Sequence, residues 1–135
     1  MQDLLPNINI KVPENLYLKD PDSTSLGRRI VENAIEQIHM LGFEAFTFKK
    51  LGICIGSPES TVYRYFENKH KLLLYMVNWY WSWLEYRVLF ATTNISEPKE
   101  KLIKAIQVVT ETVTQDSDFS HINETLLHRI VICES

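Results

Sequence analysis

The stretch Thr47-Phe48-Lys49-Lys50-Leu51-Gly52-Ile53-Cys54-Ile55-Gly56-Ser57-Pro58-Glu59-Ser60-Thr61-Val62-Tyr63-Arg64-Tyr65-Phe66-Glu67-Asn68-Lys69-His70-Lys71-Leu72 decides how this chain is read. Thr47 is a plausible N-cap for a helix over about 48–55, with Leu51 and Ile55 turned inward. Gly56 permits the left-handed backbone of a tight turn. Ser57 as a cap, Pro58 at the first helical position and Glu59 at the positive helix end then predict a short helix over about 58–65. Val62 and Phe66, one turn apart, face its inner side. Asn68 caps a further helix that starts at Lys69. Two short helices joined by a Gly-led turn and followed at once by another helix have the order of a helix-turn-helix.

Upstream, Ile30, Ala34, Ile38 and Leu41 recur at helical spacing with Ile35 beside them, which predicts a helix over about 25–41 stopped by Gly42. Phe43 and Phe46 should pack the corner that follows. Residues 1–24 hold Pro6, Pro13 and Pro21 with scattered acids. They read as an extended N-terminal arm, with Ile8, Ile10 and Val12 alternating as a short strand would.

Downstream, a helix from Lys69 to about Phe90 is apolar nearly all round, including Trp79, Trp81 and Trp83. A helix of that kind is expected to be buried on every side, as the spine of a further helical region. A linker at 91–95 precedes a helix begun by Ser96 and Pro98, with Leu102, Ile103, Ile106, Val109 and Val113 as its apolar stripe. Residues 115–120 are polar and turn-like, and a last helix begins near Ile122 with Leu126, Leu127, Ile130 and Val131 on one side. The chain runs out at Val131-Ile132-Cys133-Glu134-Ser135 inside an apolar pattern, and is expected either to continue or to be covered by a partner there. The organisation is thus an arm (1–24), a helix-turn-helix region (25–72) and the start of a second helical region (73–135), in an all-α chain.

Hydrophobic residues make up 45% and charged residues 23% of the 135 positions, a globular balance. The net charge is −3, from 14 Lys and Arg against 17 Asp and Glu, so the surface as a whole is not a cationic nucleic-acid coat. Residues 25–72 are the only net-positive segment, with seven Lys and Arg against five acids. Cys54 and Cys133 sit among apolar neighbours and are expected as buried thiols in a reducing cytoplasm. No secretory leader opens the chain and no apolar run is long enough for a membrane span.

A helix that reads DNA must be short, rigidly held and tipped with groups for phosphates and base edges. The second helix offers Ser57, Glu59, Ser60, Thr61, Tyr63, Arg64 and Tyr65. Thr47 and Lys49, on the first turn of the helix before it, can reach a phosphate. Lys69 at the next helix start would be a second phosphate clamp. Arg28 and Arg29 are placed to reach the flanking backbone or an adjacent minor groove.

The order Thr-x-x-x-Leu, then Gly, then Thr61-Val62-Tyr63-Arg64-Tyr65-Phe66 followed by Asn68-Lys69 resembles the DNA-binding domain of TetR-type transcriptional regulators. The resemblance covers about residues 27–74. It implies an all-α homodimer whose first domain binds a double-stranded operator and whose second binds a small-molecule effector, a cytoplasmic repressor moved by its ligand through the long fourth helix. By that resemblance, Thr47 and Lys69 match phosphate-contacting positions, and Thr61, Tyr63 and Arg64 match recognition-helix positions. Four residues depart from the pattern. Family members often carry Ser, a long polar residue and Gly where this chain has Pro58, Glu59 and Ser60, and Ala is usual at Gly52. The chain is also shorter than such regulators by several helices, including those of their dimer interface.

Tyr75, Trp79, Trp83 and Tyr86 carry two readings. Packing in the core is the first, and lining of an aromatic ligand pocket the second. His39, His70, His121 and His128 are scattered without metal-ligand spacing, and no cofactor is implied. No Ser-His-Asp arrangement, paired-carboxylate constellation or phosphate-binding Gly loop is evident, so an enzyme is not expected. A helical ligand- or protein-binding module without DNA binding is the alternative, motivated by Glu59 and the acidic total.

Overall fold

The computed structural model describes residues 10–111 and 122–134. Six α-helices account for most of them: α1 (Ser25–Leu41), α2 (Phe48–Ile55), α3 (Glu59–Tyr63), α4 (Lys69–Thr92), α5 (Pro98–Thr110) and α6 (Glu124–Glu134). There is no strand among the described residues, and the fold is all-α. Val113, the 115–120 segment, Ile8, His121 and Ser135 lie outside the described residues.

Local capping explains the helix starts. Thr24 accepts a hydrogen bond from the Gly27 N–H, Thr47 from Lys50, and Asn68 from Lys71, each closing an otherwise unsatisfied donor of the first turn. Gly42 and Gly56 end α1 and α2 at φ +81° and +71°, a region where a side chain would strain the backbone.

The buried residues form one cluster running from Val12 to Val131. α1 contributes Ile30, Val31, Ala34, Ile35 and Ile38, α2 contributes Phe48, Leu51 and Ile55, and α3 contributes Val62. Leu41, expected on the inner face of α1, is exposed because it falls on the last turn before Gly42. The corner residues Phe43 and Phe46 are buried as expected.

Several expectations need correction. The arm is docked rather than loose over 10–24. Two 3-10 turns, Glu14–Leu16 and Pro21–Ser23, interrupt the extended course, Ile10 and Val12 form no strand, and Val12, Leu16 and Pro21 are buried. Pro13 and Pro21 favour such turns because they preset φ and lack an N–H for pairing.

α4 is not buried on every side. Leu74, Trp81 and Leu89 lie on one stripe with Asn78 and Glu85, and all three apolar side chains are exposed. α5, α6 and the first 3-10 turn pack on α4, and no described residue covers that stripe. The apolar stripe of α5 is likewise outward. Leu102, Ile103, Ile106 and Val109 are exposed, and Val108 is the residue α5 buries.

Both thiols are exposed, against the expectation of burial. Cys54 lies on the outer side of α2, where its Sγ donates to Asn33 Oδ1 at 3.3 Å. Apolar sequence neighbours on a helix point in other directions and do not bury the residue between them.

Candidate nucleic-acid interface

α2 is anchored by Phe48, Leu51 and Ile55, which leaves Lys49, Lys50, Ile53 and Cys54 on its outer side. Thr47 caps it from an exposed position, and accepting one bond from Lys50 leaves its hydroxyl proton available for a further partner. Lys49 is exposed, whereas the Lys50 ammonium donates to the Ala45 carbonyl at 2.7 Å.

The turn is closed by backbone. The Gly56 N–H reaches the carbonyls of Gly52 and Ile53, and the Ser57 N–H donates to Gly52 at 2.9 Å. Gly52 is where α2 and the start of α3 approach most closely. A Cβ placed there would sit 2.6 Å from the Ser57 carbonyl oxygen and 3.1 Å from the Glu59 nitrogen. All the opposing atoms are backbone and cannot rotate away. Gly52 and the Ser-Pro-Glu start of α3 are therefore one local arrangement, since the close path of 57–59 requires a residue without a side chain at 52.

α3 is shorter than expected. Its N-cap is Pro58, with no side-chain cap hydrogen bond, so Ser57 does not cap it and Pro58 lies just outside the helix rather than in its first turn. The reason is positional: the Ser57 N–H is already tied to Gly52, which holds Ser57 in the turn. Val62 is fully buried, while Glu59, Ser60, Tyr63 and Arg64 are exposed and Thr61 is half-buried. The Tyr63 ring leans edge-on against Phe48 at 4.9 Å, which couples the outer face of α3 to the base of α2. Lys49, Gly52, Ile53 and the 56–59 turn line an open hollow of about 490 Å³. The exposed charges at this face without a partner among the described residues are thus Lys49 and Arg64 against Glu59, with exposed Lys50 held on the Ala45 carbonyl.

Tyr65 and Lys69 have partners inside the protein. Tyr65 is only 3% exposed, and its hydroxyl shares a 2.8 Å hydrogen bond with the Thr24 side chain. Its carbonyl accepts from the Leu18 N–H at 2.8 Å. Tyr65, expected at the DNA, instead ties the arm to the end of α3. The Lys69 ammonium, expected on a phosphate, donates to the carbonyls of Phe43, Glu44 and Phe46 at 2.8, 3.1 and 2.9 Å. It also lies 4.7 Å from the centre of the Phe43 ring. A cation on the first turn of a helix meets an unfavourable dipole, and these acceptors offset that by binding all three ammonium protons. Arg28 and Arg29 are also engaged, donating to the carbonyls of Asp22 and Ile55 at 2.8 and 2.9 Å.

The aromatic candidates on α4 are packed residues. Trp79 and Trp83 are buried and stack at 6.3 Å with their planes 14° apart, with the Arg87 guanidinium 5.0 Å above Trp83. Arg87 also pairs with Glu111. Tyr86 is half-buried beside Phe90. Tyr75 is buried between Phe66 and Tyr17. Tyr80, which no sequence motif singles out, shares a 2.6 Å hydrogen bond with His128 Nδ1, and burial raises its phenol pKa.

Sequence patterns also do not reveal the second row behind α3, namely Leu18, Thr24 and Phe48. Of these, only Thr24 carries a local signal, as a hydroxyl residue immediately before a helical pattern. No group of three His, Cys, Asp or Glu among the described residues could hold a metal ion, and no helix among them is long and apolar enough to cross a membrane. No protein-family model, no curated protein and no solved structure matches the chain.

Proposed function

We propose that the protein is a cytoplasmic, TetR-like regulator of transcription, a ligand-responsive repressor that binds operator DNA as a homodimer through α3. One observation carries this reading. α3 is a short helix fixed from behind by Val62, Tyr65 and Phe66, while Ser60, Tyr63 and Arg64 project outward beside Thr47 and Lys49. Rigid support behind a polar, hydroxyl-rich face is what a groove-reading helix requires. In this reading Thr47 and Lys49 meet phosphates, and Ser60, Thr61, Tyr63 and Arg64 meet bases or the sugar-phosphate edge. Glu59 accepts from a cytosine amine or else repels the backbone. Lys69 and Tyr65 act from within, by holding the corner and the arm against the reading unit.

Fluorescence anisotropy with duplexes from the DNA upstream of the coding region tests the proposal. Arg64→Ala and Tyr63→Ala should each weaken specific binding by about 1–3 kcal/mol. Wild-type affinity in both variants rejects the assignment of α3.

The second reading, a helical binding module without DNA affinity, rests on the small cationic excess at this face, Lys49 and Arg64 against Glu59. No duplex binding at low salt, together with uptake of an apolar dye, would favour it.

A further inference from the structure

Away from α2 and α3, the pair formed by α4 and α5 turns apolar residues outward. α5 has 13 residues, a length at which a helix alone in water is marginal, and packing of its amphipathic side normally supplies the stability. In α5, Val108 is the buried residue and Ala105 is half-buried, whereas Leu102, Ile103, Ile106 and Val109 are 48–61% exposed. The helix thus rests on α4 by a narrow edge and holds its apolar side away from the core. On α4, Trp81 is 54% and Leu89 60% exposed, and Leu74 extends the same stripe toward the helix start.

The two stripes share one flank. α4 ends at Thr92 and α5 begins at Pro98, the two pack on each other, and Arg87 pairs with Glu111 near the far end of α5, so the helices run antiparallel. On α5 the stripe lies roughly a third of a turn beyond Ala105 and Val108, in the direction of increasing residue number. On α4 it lies about as far, in the same sense, beyond the covered residues Leu84, Arg87 and Val88. Equal rotations in the same sense on antiparallel helices point to the same side of the pair. Seven side chains, each about half exposed on residues of roughly 200 Å², give this side about 700 Å² of apolar surface. The largest apolar patch of a typical monomer is about 300–600 Å², whereas a stable interface buries about 800 Å² on each partner. Two unlike charges lie within the face. Glu85 sits between Trp81 and Leu89 on α4, and Lys99 sits one turn before Leu102 and Ile103 on α5. Both are exposed, and neither has an ion-pair partner among the described residues.

We propose that this face binds a second copy of the chain, in a twofold dimer with α4 and α5 of each copy at its centre. A twofold interface uses the same patch on both sides, so the patch must be self-complementary. Apolar stripes meet that condition directly. One acid and one base on the same face meet it by setting Glu85 of each copy toward Lys99 of the other. The area of the face is close to one partner's share of a standard interface, and covering it gives α5 the packing that Val108 by itself does not. The dimer supplies a surface for the homodimer of the proposed function, but it rests on the exposed stripes and not on α3 meeting DNA.

The test is sedimentation equilibrium of the full chain without DNA. Wild type should dimerise with a Kd in the micromolar range or tighter. Trp81→Glu and Ile106→Glu, both at exposed positions, should each raise the Kd at least about thirtyfold. Glu85→Lys and Lys99→Glu should each weaken the dimer several-fold, and the double reversal should return it to within about twofold of wild type. Charge reversal at exposed positions leaves the packing of α5 intact, so this rescue still reads the interface if Ile106→Glu unravels the helix. A folded wild type that stays monomeric at about 100 µM overturns the proposal. So does a dimer indifferent to both Trp81→Glu and Ile106→Glu, or a double reversal no stronger than the single ones. Binding of a monomer to phosphatidylserine vesicles, abolished by Ile106→Glu, would give the face to a membrane surface and overturn it as well. A dimer that binds no duplex would strike the assignment of α3 alone, and a monomer that binds duplex would strike this interface alone.

Discussion

Replacing Lys69 with methionine separates two roles that a lysine at the start of α4 can have. The structure gives its ammonium three carbonyl acceptors, Phe43, Glu44 and Phe46, in the corner between α1 and α2. Hydrogen bonds with a charged donor contribute more than neutral ones, but this corner is partly open and water will replace part of each bond. About 1 kcal/mol per bond, or about 3 kcal/mol together, is a reasonable loss. Removing a cation from a helix N-terminus returns up to about 0.5 kcal/mol. Methionine keeps most of the aliphatic stem over the Phe43 ring, so little packing is lost. The net destabilisation should be about 2–3 kcal/mol, a fall in Tm of about 8–10 °C for a chain of this size.

Urea and thermal unfolding measure the stability, and anisotropy at several salt concentrations measures the DNA side. If Lys69 is an internal pin, Tm falls and the slope of log K against log salt is unchanged. If it neutralises a phosphate, Tm holds and the slope drops by about 1. An unchanged Tm with a reduced slope refutes the internal role of Lys69.

Gly52→Ala sets a helix-propensity gain of about 1 kcal/mol against a Cβ 2.6 Å from the Ser57 carbonyl. Because backbone must move, overpacking of about 1–3 kcal/mol should win, and a higher melting temperature would show that the turn yields easily. Tyr65→Phe removes the hydroxyl bonded to Thr24 and should cost about 1 kcal/mol of stability; chemical denaturation checks this, and wild-type stability would show the bond contributes nothing. Burial keeps Tyr75 neutral in the native state above its ordinary value of 10.0. Above pH 10 the unfolded phenol ionises while the native one does not, so the unfolded state holds fewer protons and stability falls as pH rises. Tyr75→Phe should flatten that alkaline decline in urea midpoints between pH 9 and about 11.5, and an identical decline would place its origin elsewhere.

Much of the helical framework was legible in local signals. Thr47, Asn68, Gly42 and Gly56 act within a few residues of themselves, so each cap or stop could be read from the chain and the bounds of α1 and α2 follow. The outward placement of Tyr63 and Arg64 follows from Val62 and Phe66 being apolar one turn apart. The arm was less legible, because the Glu14–Leu16 turn packs on α4, distant in sequence, which no local pattern reveals, although Pro21 packs on the nearby start of α1. The same limit affected Cys54, whose apolar neighbours share its helix but not its direction.

The sequence by itself determined the all-α class, most helix boundaries and which residues of α3 can face outward, because 3.6-residue periodicity and capping are short-range properties. Only the tertiary structure decided what the polar side chains do. Lys69, Arg28 and Arg29 each have long flexible stems, and whether the charge ends on a phosphate or on a carbonyl depends on which backbone folds back within reach. Gly52 shows the same dependence: a missing Cβ is silent in the sequence until the path of Ser57 to Glu59 against it gives the reason.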